Sequence, residues 1–422
     1  MSPDCYPVTI LPHVSALFRD FVSGNWEKLR PFYSEEKNSS PWMQGSPHME
    51  PTHRQAIVEL LRQQNRSFGS GTATEANLDR MAAGAGAIVT GQQVALFGGP
   101  LMTLMKAATA IHMAEEASRA GHPHVPIFWL ASADHDFDEV NQATFLDDKK
   151  ITTLRLPHHP APGKPVGNLP LGEAVLPLLD ELRRCLGENA IYDLVASCYT
   201  PTATFTSAFA SLLTSLFSPY GLIVIDASTR PFHALAISTL RAAIQQADEI
   251  HAALLERNQA LEQAGYHAQV TVGKSSSLLV LIDETTGVRN ALKKISADTW
   301  VAGPARYTSS ELVSILDSAP ERVSPNVLLR PVVEDTLLPT SAYRGGPSEV
   351  AYFAQSQVVY QRILGYTTPA LPRYSATLVE LEMAQLLQQY QLTLPDVFTT
   401  SDALGHRLGA RAIPIEGKRK LS

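Results

Sequence analysis

The stretch AGAIVTGQQVALFGGPLMTLMKAATAIHMAEEASRAGHPHVPIFWLAS, residues 85–132, carries the reading of the fold. AGAIVTG and HVPIFWLAS are short, nearly unbroken apolar runs, the pattern of strands in a parallel sheet. Between them Leu101, Leu104, Met105, Ala108 and Ile111 recur at spacings of three and four, which is one face of a helix. Pro100 suits the first helical position and Gly121 stands just past the end. Strand, helix and strand in this order predict a βαβ unit. One detail does not suit a packed core. Gln92 and Gln93 place two adjacent carboxamides between the first strand and a Gly-Gly-Pro turn, and buried amides require partners.

The same grammar recurs outward from this unit. FTSAFASLLTSLFSPYGLIVIDAS (205–228) predicts a helix and then a strong strand, and 230–265 predicts one or two long helices. Residues 268–292 predict a hairpin with its turn near Glu284 to Gly287, and 323–360 returns to strand, loop and helix. Residues 1–80 read as mostly helical and polar, broken by a loop at 35–51, and the Pro-rich 147–200 reads as an insertion. The chain closes on a basic cluster, Lys418, Arg419 and Lys420. The fold class is α/β.

Composition narrows the function. At 422 residues the chain exceeds one ordinary core, and 45% apolar with 18% charged residues fits a globular enzyme. A net charge of −7 argues against nucleic acid as the main partner. No apolar run reaches the ~18 residues that span a bilayer. The N-terminus, MSPDCYPVTILPH, lacks a basic region followed by a long apolar one, so a cytoplasmic location is expected. Cys5, Cys185 and Cys198 lack metal spacing and read as free thiols.

Three constellations could carry chemistry. TGQQ followed by FGGP turns a strand into a helix start, where free amides and the helix dipole favour anions; Gln92 and Gln93 could add carboxamide contacts and Lys106 a charge. SADHDFDEVN (132–141) begins where the second strand ends, the place where ligands bind in open α/β sheets. Its Asp134, His135, Asp136, Asp138 and Glu139 could act as base, hold an ammonium group or bind a divalent cation, although the spacing matches no standard metal site. RPVVEDTLLPTSAYRGGPSE (330–349) repeats Gly-Gly-Pro before a helix, with Arg330, Tyr343 and Arg344 suited to carboxylate or phosphate recognition. Two anion-suited helix starts and an acidic loop form the inventory of a ligase. A metal-dependent hydrolase using the Asp134–Glu139 loop and a non-catalytic Rossmann-like binding module are the alternatives.

TGQQ…GGPL…K…TAI, FWLASADHDFDEVN, NVLLRPVVEDTLLPTSAYRGGPSEVAY and LPRYSATLVE (371–380) occur in this order and resemble the cysteine-adding enzyme family of bacillithiol biosynthesis. The resemblance implies a Rossmann-like core with two connecting-peptide insertions, similar to class I aminoacyl-tRNA synthetases, and a coiled-coil arm that makes a homodimer. The implied segments are an N-terminal helical part (1–80), core pieces at 81–146, 201–265 and 323–395, and insertions at 147–200 and 266–322. The start of a truncated arm would occupy 396–422. Members of the family run longer than this chain, so dimerisation here is in doubt.

The implied task is the last step of bacillithiol synthesis, an amide bond between the carboxyl of cysteine and the amine of glucosaminyl-malate. ATP with Mg²⁺ is the chemical expectation, because a free carboxylate needs activation before it can form an amide in water. Carried onto this chain, Thr90, Gly91, Gln92 and Gln93 line the pocket, with Lys106 near them. Asp134, His135 and Asp136 lie opposite, and Arg330, Tyr343, Arg344, Gly345, Gly346 and Glu349 close the third side. Asp134 or Asp136 would hold an amine, His135 would accept a proton, and Arg330 and Arg344 would hold the malate carboxylates.

Overall fold

The computed structural model describes residues 5–12, 14–33, 41–44, 49–147, 150–157 and 163–412. Most of the loop expected at 35–51 and the cluster Lys418, Arg419 and Lys420 lie outside the described residues. The chain forms strands β1 (Gly86–Gln92), β2 (His124–Leu130), β3 (Gln142–Asp147), β4 (Lys150–Arg155), β5 (Ile223–Ile225) and β6 (Ser276–Ile282). It continues with β7 (Arg289–Ser296), β8 (Thr299–Ala302), β9 (Ala305–Tyr307), β10 (Val323–Pro325), β11 (Thr340–Gly345) and β12 (Ala370–Pro372).

The central sheet has the order β12-β11-β1-β2-β5, and every pair in it is parallel. β1 and β2 are buried along almost their whole length, which is why they read as continuous apolar runs rather than alternating ones. Successive side chains still go to opposite faces. Val89, Ile127 and Trp129 join one core cluster, while Phe128 and Leu130 join a second. Ile88 and Ala342 pack with Ala110, Met113 and Ala114 of the helix Met102–Arg119. From β1 the chain adds β2 and β5 on one side, and β11 and β12 later on the other. The strand order therefore reverses between β1 and β11, the position where α/β sheets open a crevice at their carboxyl ends.

A second sheet, β10-β6-β7-β8-β9, is antiparallel and stands beside the first. The hairpin expected over 268–292 is β6 and β7, with its turn at Asp283–Gly287 closed by Gly287 N–H donating to Asp283 O at 2.9 Å. Trp300 fills the centre of this sheet, its Nε1 donating to Ser309 Oγ at 3.0 Å. β3 and β4 pair as a separate ribbon.

Three sequence expectations change. The helix Met102–Arg119 buries Thr103, Lys106, Ala107, Ala110, Ala114 and Ala117, small or internally bonded residues that let it lie close to the sheet, while Leu101 and Ala108 of the expected apolar face are exposed. The 230–265 region is three helices, Arg230–Leu235, Ile237–Gln245 and Ala247–Gln263, that break at Ala236 and Gln246. Neither break carries a proline or glycine, so nothing local announces it. The helix after β1 starts at Met102 rather than at Pro100, because Phe97, Gly98 and Gly99 all take positive φ and delay it.

The helix Arg330–Leu337 buries two consecutive carboxyls, Glu334 and Asp335. Burial pushes Asp335 up to about 7, against the hydroxyl of Thr368, which donates to it. A carboxyl with a raised folded pKa makes the folded state bind more protons than the unfolded chain between about pH 4 and 7. Its stabilisation is complete below the unfolded pKa and is lost as pH rises through the folded value. Stability should therefore fall between pH 5 and 8, and Asp335→Asn should remove roughly 3 kcal/mol of that fall. Urea midpoints at the two pH values measure it. An unchanged difference in the variant would place the titration elsewhere.

Candidate active site

A cavity of about 480 Å³ opens at the carboxyl ends of β1 and β11, where the strand order reverses. Its floor is Gly91. A Cβ at this position would stand 2.9 Å from Trp129 O and 3.3 Å from Trp129 Cβ, so no side chain fits without moving β2. Gly91→Ala should cost about 1–3 kcal/mol, read as a lower melting temperature. A variant as stable as the parent would show that β2 yields freely.

One wall is a closed ionic knot. Lys106 lies in the first turns of the helix Met102–Arg119 and is only 3% exposed. Its Nζ donates to Gly91 O at 2.7 Å and Gln92 Oε1 at 2.9 Å, and pairs with Glu349 Oε2 at 2.6 Å. All three protons of the ammonium are used. Burial lowers its pKa while Glu349 opposes that shift. Glu349 also accepts from the Tyr343 hydroxyl and from Gly346 N–H, each at 2.6 Å. Burial pushes the Tyr343 phenol well above its ordinary pKa. The second Gly-Gly-Pro helix start is thus already capped by its own carboxylate. At the first, Gly98 N–H donates to the Tyr199 hydroxyl at 2.9 Å. The second start is therefore closed by its own carboxylate, whereas the first has only Gly98, ahead of the helix, occupied, and its N-cap Leu101 carries no side-chain cap.

The facing wall is the acidic loop after β2. Gln93 Nε2 donates to Asp134 Oδ2 at 2.9 Å and to Glu139 Oε2 at 2.6 Å. The adjacent amides therefore serve opposite walls, Gln92 the lysine knot and Gln93 the acidic loop. Asp134 Oδ1 also accepts from His135 N–H at 2.7 Å. Partial burial of Asp134 opposes ionisation, yet Gln93, the His135 amide, Arg330 and Arg289 together hold its carboxyl below the usual range.

Arg330 begins the helix Arg330–Leu337 and projects its guanidinium between the walls, with Glu334 one turn further on. Burial drives the Glu334 carboxyl well up in pKa, with Arg330 opposing. Burial lowers the pKa of Arg330, but Tyr352, Glu334, Tyr343 and Asp134 more than offset it. Arg373 completes the rim, and its buried Nε has no protein partner.

Of the residues expected at the site, Gly91, Gln92, Gln93, Lys106, Asp134, Arg330, Tyr343, Gly346 and Glu349 line this cavity. His135 lines an adjoining chamber. The others are elsewhere. Thr90 is buried one residue before the floor, with its hydroxyl donating to Arg344 O at 2.7 Å. Arg344 alternates with Tyr343 along β11 and so takes the opposite face, where its Nη1 donates to Pro372 O at 3.0 Å. Burial pushes its pKa down to about 9, with Glu116 opposing. Gly345 has its Cβ direction against Glu349 Cβ at 2.7 Å, and Asp136 is exposed at the head of the short helix Phe137–Val140. Trp129, Glu334, Tyr352 and Arg373 line the cavity without having been singled out in the sequence. For Glu334, the available signal is a charged residue four positions after Arg330 inside an apolar helix.

A catalytic metal on the acidic loop would need several ligands converging there. Among the described residues no three His, Cys, Asp or Glu side chains are placed to hold a metal ion. Among them, too, no helix is long and apolar enough to cross a membrane.

The model of a family described as bacillithiol biosynthesis BshC, N-terminal Rossmann-like domain, matches residues 1–374. The chain belongs to this family. All residues that line the cavity fall within the match, and the parallel sheet is the Rossmann-like core that the family description names. A protein of Koribacter versatilis named "Putative cysteine ligase BshC" is 39% identical over 421 residues, 99% of this chain and 78% of its own length. Relatives of the same name from Solibacter usitatus and Geobacillus kaustophilus are 36% and 27% identical, covering 97% and 92% of this chain. The chain spans 76% and 74% of their lengths.

Proposed function

We propose that the chain is a cysteine ligase of bacillithiol synthesis, joining the carboxyl of cysteine to the amine of glucosaminyl-malate. The observation that carries this reading is the crevice itself. At the point of strand reversal, an ionised Asp134 faces two cationic groups, Arg330 and Arg373, across a floor that Gly91 keeps open. Such a site holds a zwitterion, with its ammonium on Asp134 and its carboxylate toward Arg330. Amide formation from a carboxylate needs an activated acyl group, which ATP with Mg²⁺ would supply. The unpartnered Nε of Arg373 and the guanidinium of Arg330 fit the phosphate side of that requirement.

The attacking amine must be the free base and loses a proton as the C–N bond forms, while one carboxylate oxygen departs with the activating group. His135 was the acceptor expected from sequence. Its Nδ1 lies 3.2 Å from Arg289 Nη1 and 3.5 Å from Asp134 Oδ1, between a donor and an acceptor. Held beside these two groups at the mouth of the adjoining chamber, His135 is the acceptor this reading assigns to the departing proton.

The test is a mass-spectrometric assay of the purified chain with cysteine, glucosaminyl-malate and Mg-ATP, beside an arm without ATP. Product only in the full mixture supports the reading. A folded chain that forms no product in either arm removes it.

A further inference from the structure

Beside the main cavity lies a second chamber of about 260 Å³. It shares Trp129, Ala131, Asp134 and Arg330 with the first, and its remaining walls are largely apolar, including Phe232, Leu240 and Val333. The antiparallel sheet supplies one wall. Arg289 opens β7 opposite Ile282 of β6, and Ser324 of β10 stands opposite Val280. Val280 and Ile282 are two apart and share a face, so Arg289 and Ser324 share it too.

Both carry unsatisfied buried donors. The Arg289 side chain is 9% exposed, and its Nε has no partner. Its other contacts are weak for a buried cation: His135 Nδ1 at 3.2 Å and Asp134 Oδ1 at 4.0 Å. Ser324 is 2% exposed with its Oγ unpartnered. Charge points the same way. Among the described residues Asp134 is the only carboxylate that pairs with Arg289, at 4.0 Å, and it is shared with Arg330 and Gln93. Arg289 is thus under-compensated at the partition between the chambers. A buried cation in this state is costly unless an anion joins it.

We infer that the second chamber is an anion subsite, in which Arg289 and Ser324 of the antiparallel sheet, with Arg330, bind a carboxylate or phosphate group of a substrate. The inference rests on the ligase reading only for its two sources of anion, the malate carboxylates and the phosphates of ATP. It makes the antiparallel sheet part of the binding site, and it gives Arg289 the role that the sequence assigned to Arg344.

Isothermal titration of the full chain with malate and, separately, with Mg-ATP tests it. Arg289→Gln should weaken one of the two by at least tenfold, Arg289→Lys should recover part of that loss, and Ser324→Ala should weaken the same ligand by about threefold. The ligand affected identifies the source. Without ligand, Arg289→Met should melt no lower than the parent, because an under-paired buried cation has been removed; a purely structural arginine would instead lower the melting temperature. Unchanged affinities for both ligands in Arg289→Gln, or no binding of either by the parent chain, overturns the inference. The two proposals fail separately. Absent product with an Arg289-dependent affinity sinks the ligase reading alone, and full turnover by Arg289→Gln sinks the subsite alone.

Discussion

Replacing Lys106 with methionine should destabilise the protein by about 3–5 kcal/mol, the cost of removing one partner from a buried ion pair. The ammonium ties three segments together: the end of β1 through Gly91 O and Gln92, its own helix, and the start of the helix Pro347–Ile363 through Glu349. Methionine fills most of the space but donates nothing. Gly91 O and the Gln92 carboxamide would be left facing an apolar chain, and Glu349 would keep only Tyr343 and Gly346 N–H. Adding Glu349→Gln to the lysine variant should recover part of the loss, because no buried charge then remains unmatched. Urea unfolding of the parent, both single variants and the double variant reads the coupling directly. A lysine variant within about 1 kcal/mol of the parent would mean that the knot contributes little, and that Lys106 is free to serve a ligand after all.

The βαβ unit was legible because its strands are buried on both faces and so leave continuous apolar runs, whereas the face of its helix was not: small and polar residues such as Thr103, Lys106, Ala107 and Ala110 are buried, while Leu101 and Ala108 of the expected face are exposed. The position of the site followed from the ends of those strands. What did not follow was the face. Thr90 and Gly91 are neighbours, as are Tyr343 and Arg344, and in each pair one residue reaches the cavity while the other packs behind the sheet. Alternation dictates that only one can, but which one depends on where later helices settle. The same limit applied to the helix starts. Gly-Gly-Pro before a helix suggests open amides, yet Glu349 fills the second start, and at the first the Gly98 amide goes to Tyr199, 101 residues away. Arg289 was out of reach for the same reason: it sits in a hairpin 154 residues from His135, and only the docking of the second sheet joins them.

The acidic loop offers the sharpest test of function, because its two central carboxylates have different surroundings. Asp134 accepts from Gln93 and from the His135 amide and faces both arginines, whereas Asp136 is exposed and lines neither cavity. Asp134→Asn keeps the shape but leaves one accepting oxygen for two donors, Gln93 Nε2 and His135 N–H, so it removes the charge and one of these hydrogen bonds. The carboxyl is held below its usual pKa, hence ionised throughout the neutral range, and the variant differs from the parent by a full charge at any working pH. One charge-assisted hydrogen bond to an ammonium group is worth about 1.5–3 kcal/mol, so kcat/KM for cysteine should fall roughly 10- to 100-fold. Asp136→Asn should stay within about threefold, since an exposed side chain remote from the substrate holds no such bond. The loss of Asp134 also leaves Arg289 and Arg330 less compensated, so the variant should melt a few degrees lower, and rates are best compared well below that midpoint. If the two variants lose equal activity, the ammonium lies at the mouth of the loop rather than against Asp134, and the cavity floor is not where cysteine binds.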